Sequence, residues 1–215
     1  MVQVQGPPGD FHAMLLIRGI VFSLIGLLFA GCMQSGTLAP ASEANFTGRD
    51  RQQLANPPYQ RVSISPTYQR QIVQFHRREV PGSVVVDTSR RFVYYVLPGG
   101  KAIRYGATVG EDGQNWSGVA TVARKEEWPG WTPTEDVKRR LGPLPSYVPG
   151  GARNPMGARA LYLYAGGKDT LYRIHGTNQP EYIGQAISSG CIRLTNEDVI
   201  DLYGRVKMGA TVVVI

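Results

Sequence analysis

The sequence predicts a mainly β domain of sandwich or barrel type with short helices, and three observations point there. Runs of β-branched and aromatic residues recur between residues 82 and 215, turn residues separate them, and only two stretches carry a helical repeat. With 42% apolar residues, 26 Gly and 15 Pro in 215 residues, the chain fits a turn-rich globular body and excludes a coiled coil or a wholly disordered chain. The expected strands are Val84 to Val86, Phe92 to Leu97, Ala102 to Val109, Gly118 to Lys125, Arg159 to Tyr164, Thr170 to His175 and Ala210 to Ile215. Gly99-Gly100 between two of them suits a two-residue turn that needs positive φ. A small helix is expected over Thr134 to Arg140. A firmer one covers Asn196 to Val206, where Thr195 and Asp198 have capping-box spacing and Val199, Leu202, Tyr203 and Val206 repeat at helical intervals.

The chain upstream reads differently. Residues 14 to 32 carry Arg18, an apolar run from Gly19 to Phe29 and small residues before Cys32, the pattern of an export signal. The run is short for a membrane span of roughly 20 residues, so residues 1–31 read as a cleaved signal peptide. The ending Leu-Phe-Ala-Gly-Cys is similar to a bacterial lipobox, with Cys32 as the lipidated residue and Phe29 at a position where Leu is commoner. Residues 32–81, rich in Gln, Asn, Ser, Pro and Arg without sustained periodicity, read as a lipid-anchored, largely disordered linker. Such a tether has a root-mean-square span of about 40 Å. Within it, Ile64 to Val80 could bury a stripe made by Tyr68, Ile72, Val73 and Phe75.

The formal charge of +7 allows several anionic partners and chooses none. Scattered basic residues and an exported chain speak against nucleic acid. Only two cysteines occur, Cys32 and Cys191. If Cys32 is acylated, Cys191 has no disulfide partner, and a lone thiol in an oxidising compartment is either an inert buried group or one whose chemistry is used.

Chemistry concentrates between residues 172 and 194. His175 ends a strand, Cys191 follows 16 positions later, and the loop between them contains Gly, Asn and Pro, so its ends can fold back together. A thiol that attacks an acyl carbon needs a base or imidazolium beside it and donors for the developing oxyanion. Gly190 before Cys191 exposes consecutive backbone N–H groups, which suits an oxyanion hole. His175 alone reads as a structural histidine, as do His12 and His76; the joint pattern reverses that reading.

The pattern His175-Gly176, then Ser188-Ser189-Gly190-Cys191-Ile192-Arg193, resembles the YkuD-type L,D-transpeptidases. The likeness extends through EEWPGWTPT (Glu126 to Thr134) and GGARNPMGARALYLY (Gly150 to Tyr164) and covers residues 82–215, which read as the catalytic domain. Ser189 stands where that family usually has His, so no role of a second imidazole carries over. The resemblance implies a YkuD-like fold, with Cys191 as nucleophile, His175 as general acid/base, the carbonyl of Gly176 orienting His175, and the amides of Gly190 and Cys191 on the oxyanion. If the backbone is extended there, Arg193, two residues beyond Cys191, points the same way as the thiol and would grip a substrate carboxylate; the alternative is that it caps the following helix or pairs with Glu197 or Asp198. Tyr182 would belong to a lid and Ser189 to the substrate-facing surface. Trp128 and Trp131 would either line the cleft or pack in the core.

The reaction so implied takes no cofactor and no metal. Cys191 attacks the diaminopimelate carbonyl of a peptidoglycan stem tetrapeptide and releases D-Ala. The resulting thioester passes to an amine from a second stem, a D-amino acid or an envelope protein. The setting would be cell-wall remodelling in the periplasm, with a membrane anchor and the outer membrane favoured. A sortase-like transpeptidase would also order His, Cys and Arg this way, but with a longer spacing to Arg and without the Asn-Pro-Met-Gly segment. A non-catalytic peptidoglycan-binding lipoprotein would not need the thiol.

Overall fold

The computed structural model describes residues 46–111 and 116–215. The signal peptide of residues 1–31, Cys32 and the first part of the linker lie outside these residues. In chain order the elements are α1 (Gly48–Ala55), β1 (Gln71–Gln74), β2 (Val84–Asp87), β3 (Phe92–Leu97), β4 (Lys101–Gly106), β5 (Val109–Gly110), β6 (Gly118–Glu127), α2 (Glu135–Leu141), β7 (Arg159–Ala165), β8 (Lys168–His175), β9 (Ala186–Ser188), β10 (Ile192–Arg193), α3 (Asn196–Arg205) and β11 (Thr211–Val214). Nine strands form one sheet in the order β1-β4-β3-β2-β11-β6-β7-β8-β10, and β5 pairs with β9.

The mainly β expectation holds, and strand alternation explains how the sheet buries its core. Val84, Val86, Val93, Ile103, Tyr105, Leu161, Leu163, Ile174, Ile192, Val212 and Val214 all join one apolar cluster with Val199, Ile200 and Leu202 of α3 and Val206 just after it. Strands from both ends of the sheet therefore share one interior, so the sheet curves around the helix. Closure is completed where the chain beyond β4 meets the last strand: Thr108 and Arg193 exchange backbone hydrogen bonds of 2.9 and 2.8 Å. Outward residues form two smaller clusters, one of Phe75, Val85, Val96 and Ala102 and one of Met156, Ala160 and Tyr162.

Two expectations about turns change in detail. Leu97 pairs with Lys101, so the hairpin loop is Pro98-Gly99-Gly100, with both glycines at positive φ (73° and 68°). The single run expected over Ala102 to Val109 breaks after Gly106 into β4 and β5. Gly106 itself is needed because the carbonyl and Cβ of Tyr68 sit where a side chain would go. Both expected helices form: Thr134 caps α2, and the Thr195 hydroxyl accepts the Asp198 amide at 3.1 Å to start α3.

The larger correction concerns the linker. Residues 46–81 are not a disordered tether: they form α1 and β1 and wrap the domain. Thr47 and Asp50 make a complete capping box at the start of α1, with bonds of 2.8 and 3.1 Å. Asp50 is fully buried, where it receives Arg159 through two bonds of 2.8 and 2.6 Å and the Trp128 indole N–H at 2.9 Å. Burial alone would raise this carboxyl, but Arg159 and Thr47 overcome it and hold it below its ordinary value. Farther on, Tyr68 rests against Gly184 as well as Gly106, and Arg70 lies buried against Asp198 and Asp201 of α3 at 3.9 and 3.3 Å. β1 then adds an antiparallel edge to β4, and Phe75 enters the outer cluster. The polar composition hides the Asp50 and Arg70 contacts because they are charged and tertiary, whereas the stripe expected from Tyr68, Ile72, Val73 and Phe75 does pack on the domain.

Candidate active site

β8 and β10 run parallel, with Ile192 beside Ile174 and Arg193 beside His175. Ile174 and Ile192 point into the core, so His175 and Arg193 share the opposite face. Across β7 that face continues with Ala160 opposite His175 and Tyr162 opposite Arg173. Cys191 directly precedes β10, and the Arg173 backbone N–H approaches its thiol. The register of β8 and β10 thus sets His175 beside Arg193, with Cys191 as the residue immediately before β10.

His175 is 4% exposed. Its Nδ1 lies 2.6 Å from the carbonyl oxygen of Gly176. A carbonyl only accepts, so Nδ1 carries the proton and a neutral ring keeps its lone pair on Nε2. Burial, joined by the nearby charge of Arg193, pushes His175 down to about 3, against the pull of the Gly176 and Met156 carbonyls. The ring is therefore neutral at physiological pH. Gly176 itself is fixed from behind: its N–H donates to the Arg159 carbonyl at 3.0 Å, and a Cβ there would lie 2.3 Å from Asn196 Oδ1.

Cys191 is a half-buried free thiol, and burial pushes its pKa up although Arg173 and Arg193 lower it. Its Sγ donates to the Leu171 carbonyl at 3.9 Å, and among the described residues no hydrogen bond joins it to the imidazole. Leu171 has φ 63°, an unfavourable conformation for a leucine, within an irregular stretch of the β7–β8 ladder. Asp169 braces that stretch: it takes the Leu171 amide at 2.8 Å and binds Arg173 through two bonds of 2.7 and 2.8 Å. The Arg173 guanidinium also stacks 4.5 Å from the Tyr162 ring centroid.

The remaining expected residues divide. Arg193 turns toward the thiol side and meets Gln179 at 3.4 Å, rather than pairing with Glu197 or Asp198 of α3. Tyr182 ends a short 3₁₀ turn, Pro180–Tyr182, and its carbonyl receives the Thr108 hydroxyl at 2.6 Å, which ties that loop to the closure of the sheet. Ser189 is half-buried beside the thiol turn. The Gly190 amide departs from expectation: it donates to Ser188 Oγ at 3.1 Å, while the Ser188 hydroxyl donates to the Cys191 carbonyl at 2.6 Å. Ser188 stabilises the turn and occupies the donor meant for the oxyanion. Trp128, 3% exposed with φ 45°, belongs to the core, and Trp131 packs on the outer Met156 cluster.

Asn196 went unnoticed in the sequence. Fully enclosed at the start of α3, it accepts the Ala158 amide at 2.8 Å and donates to the Thr177 carbonyl at 2.9 Å and the Tyr59 hydroxyl at 2.8 Å. The only available signal was a helix-start Asn five residues after Cys191, which reads as a local capping residue.

The domain is a mainly β body in which a carbonyl-bound histidine stands beside an arginine, with a free cysteine directly before that arginine's strand. The L,D-transpeptidase catalytic domain of the YkuD family matches residues 81–215, and the chain belongs to that family. The probable L,D-transpeptidase ErfK/SrfK of Escherichia coli is 38% identical over 141 residues, covering 61% of this chain and 43% of that protein. The probable L,D-transpeptidase YbiS of Escherichia coli is 39% identical over 139 residues with the same coverage. The chain thus spans 43% of the length of these curated relatives. A crystal structure described as a probable carnitine operon oxidoreductase, CaiA, from Brucella melitensis is 46% identical, covers 71% of this chain and 96% of that one, and superposes with a TM-score of 0.47.

Proposed function

We propose that this protein is a peptidoglycan L,D-transpeptidase in which Cys191 is the nucleophile and His175 the general acid/base. The observation that carries the reading is the His175 Nδ1–H held on the Gly176 carbonyl, beside the strand that Cys191 immediately precedes. It leaves Nε2 as an unprotonated base, and family membership supports the reaction class. Because burial keeps both thiol and imidazole neutral, the proton leaves Cys191 as the sulfur attacks rather than beforehand. The acceptor of that proton is His175. Its imidazolium is stabilised by the Gly176 carbonyl and returns the proton to the departing D-Ala amine.

Sulfur attacks the diaminopimelate carbonyl of a stem tetrapeptide, the C–N bond to D-Ala breaks, and a thioester remains. An amine from a second stem, a D-amino acid or an envelope protein then releases it. Arg193 grips a substrate carboxylate, which keeps the donor peptide over the thiol. Gly190 joins the Cys191 amide at the oxyanion once the Ser188 hydroxyl yields to the substrate. Ser189 and the Tyr182 loop border the donor peptide. The chain works in the periplasm, tethered through lipid on Cys32; Cys32→Ser in a bacterial host then abolishes membrane partitioning, and unchanged partitioning rejects the anchor.

The test of the reaction is direct. Purified under reducing conditions and given tetrapeptide muropeptides, the wild-type protein releases D-Ala and forms 3-3 linked dimers or D-amino-acid exchange products by mass spectrometry. Cys191→Ala does neither. No D-Ala release by the wild type, or release by the alanine variant, rejects the mechanism.

A further inference from the structure

The segment from Phe46 to Gln74 precedes the family domain, which begins at residue 81, yet it reaches the catalytic histidine from behind by two separate routes. The first runs from Asp50 through its two bonds to Arg159, whose carbonyl holds the Gly176 N–H at 3.0 Å. The second runs from the Tyr59 hydroxyl to Asn196, which holds the Ala158 amide and the Thr177 carbonyl. Both end on residues 176 and 177. The Gly176 carbonyl is the group that fixes the His175 tautomer.

The packing at that junction leaves no slack. Asn196 Oδ1 lies 2.3 Å from the position of a Cβ at either Gly157 or Gly176, and a Cβ at Gly157 would also meet the Gly176 carbonyl carbon and the Thr177 nitrogen at 2.5 Å. A shift of Asn196 therefore moves Gly176. On the outer side, α1 is pinned to the loop before β7, since Gln53 accepts the Ala152 amide at 2.9 Å, while Arg61 caps the Leu54 carbonyl at the end of the helix at 2.9 Å.

We infer that Tyr59 and Asp50 are positioning residues for His175, so that the strap outside the family domain is part of the catalytic apparatus. The inference rests on the reading of His175 as the base. Tyr59 acts through Asn196 and Asp50 acts through Arg159. Each limits the freedom of Gly176, and hence the direction and tautomer of the imidazole.

Tyr59→Phe removes one hydroxyl and keeps the ring, and Asp50→Asn removes the charge; Arg77→Gln, at an exposed arginine just beyond this segment that pairs with Glu79, is the control. In the full chain, alkylation of Cys191 by iodoacetamide is followed from pH 5 to 10, with His175→Ala as reference. The expected result for Tyr59→Phe is a neutral-pH rate lowered about three- to thirty-fold, the size of remote coupling, with the alkaline plateau unchanged. A merely structural role would lower the melting temperature and leave the ratio of the two rates alone. A folded Tyr59→Phe protein with the wild-type ratio overturns the inference. If His175→Ala itself does not alter the ratio, the Cys-His mechanism fails, and the ¹⁵N shifts of the His175 ring decide the positioning claim separately. A pure Nδ1–H tautomer in the wild type and a mixed population in Tyr59→Phe uphold it; identical spectra overturn it.

Discussion

His175 and Arg193 stand side by side in the parallel ladder between β8 and β10, so an imidazole and a guanidinium share one outward face. The positive charge of Arg193 adds to burial in keeping His175 neutral. Arg193 therefore has two effects that one substitution separates. Arg193→Ala should weaken capture of a carboxylate-bearing donor by about 1.5–3 kcal/mol, roughly ten- to a hundredfold in KM. It should also raise the His175 pKa, moving the acidic limb of the pH–rate profile upward. Steady-state kinetics on tetrapeptide across pH would record both; an unchanged KM would remove Arg193 from the substrate site.

His175→Ala should lose about 10²–10⁴-fold in kcat, the usual share of general acid–base help. The thiol would remain, but burial holds its pKa high, so it could not compensate by ionising. Single-turnover acylation measures this step without interference from the acceptor. A loss under threefold would contradict the assigned role.

The same histidine should leave a mark on stability. Its folded-state pKa of about 3 lies below its unfolded value, so the unfolded chain binds the proton first as pH falls. Stability is fully present above about pH 6.5 and drains away as pH drops toward 3, with a slope approaching about 1.4 kcal/mol per pH unit from this group alone. Urea unfolding of wild type and His175→Gln between pH 4 and 7 should therefore diverge. The variant's curve should be flatter by about one proton; parallel curves would mean the ring titrates normally.

How much of this was legible in the sequence depended on whether a signal was local. β2, β3, β6, β7 and β8 were visible because β-branched runs and Gly-rich turns are near-neighbour patterns. β10 was not, because two residues are too few to show alternation, and they become a strand only by pairing with β8. The Cys-His-Arg trio was legible through motif spacing. The packing stripe at Tyr68, Ile72 and Val73 was legible too, but α1 was not, even though Thr47-Gly48-Arg49-Asp50 carries a capping-box spacing, because Asp50 owes its burial to Arg159, which is 109 residues away. Asn196 failed in the same way: its three partners come from three different segments.

That long-range pair gives the sharpest stability test. Asp50 accepts from Thr47, Trp128 and both terminal nitrogens of Arg159 in a buried setting, and the Arg159 side chain is 3% exposed. Among the described residues, Asp50→Ala would leave the guanidinium with the Glu127 carboxylate, 3.8 Å away, as its remaining counter-charge. Breaking one side of such a pair costs about 3–5 kcal/mol, whereas replacing both with apolar groups of similar volume is often neutral. Asp50→Ala should therefore lower the urea midpoint strongly, Arg159→Met should do likewise, and the combination Asp50→Leu with Arg159→Met should recover most of the loss. Acid should mimic the single variant, because the depressed Asp50 pKa contributes stability above its ordinary value that disappears as pH falls through the folded one. Strictly additive single losses in the double variant would show that the two groups are not coupled. The strap would then be held by its apolar contacts at Leu54 and Phe75 instead.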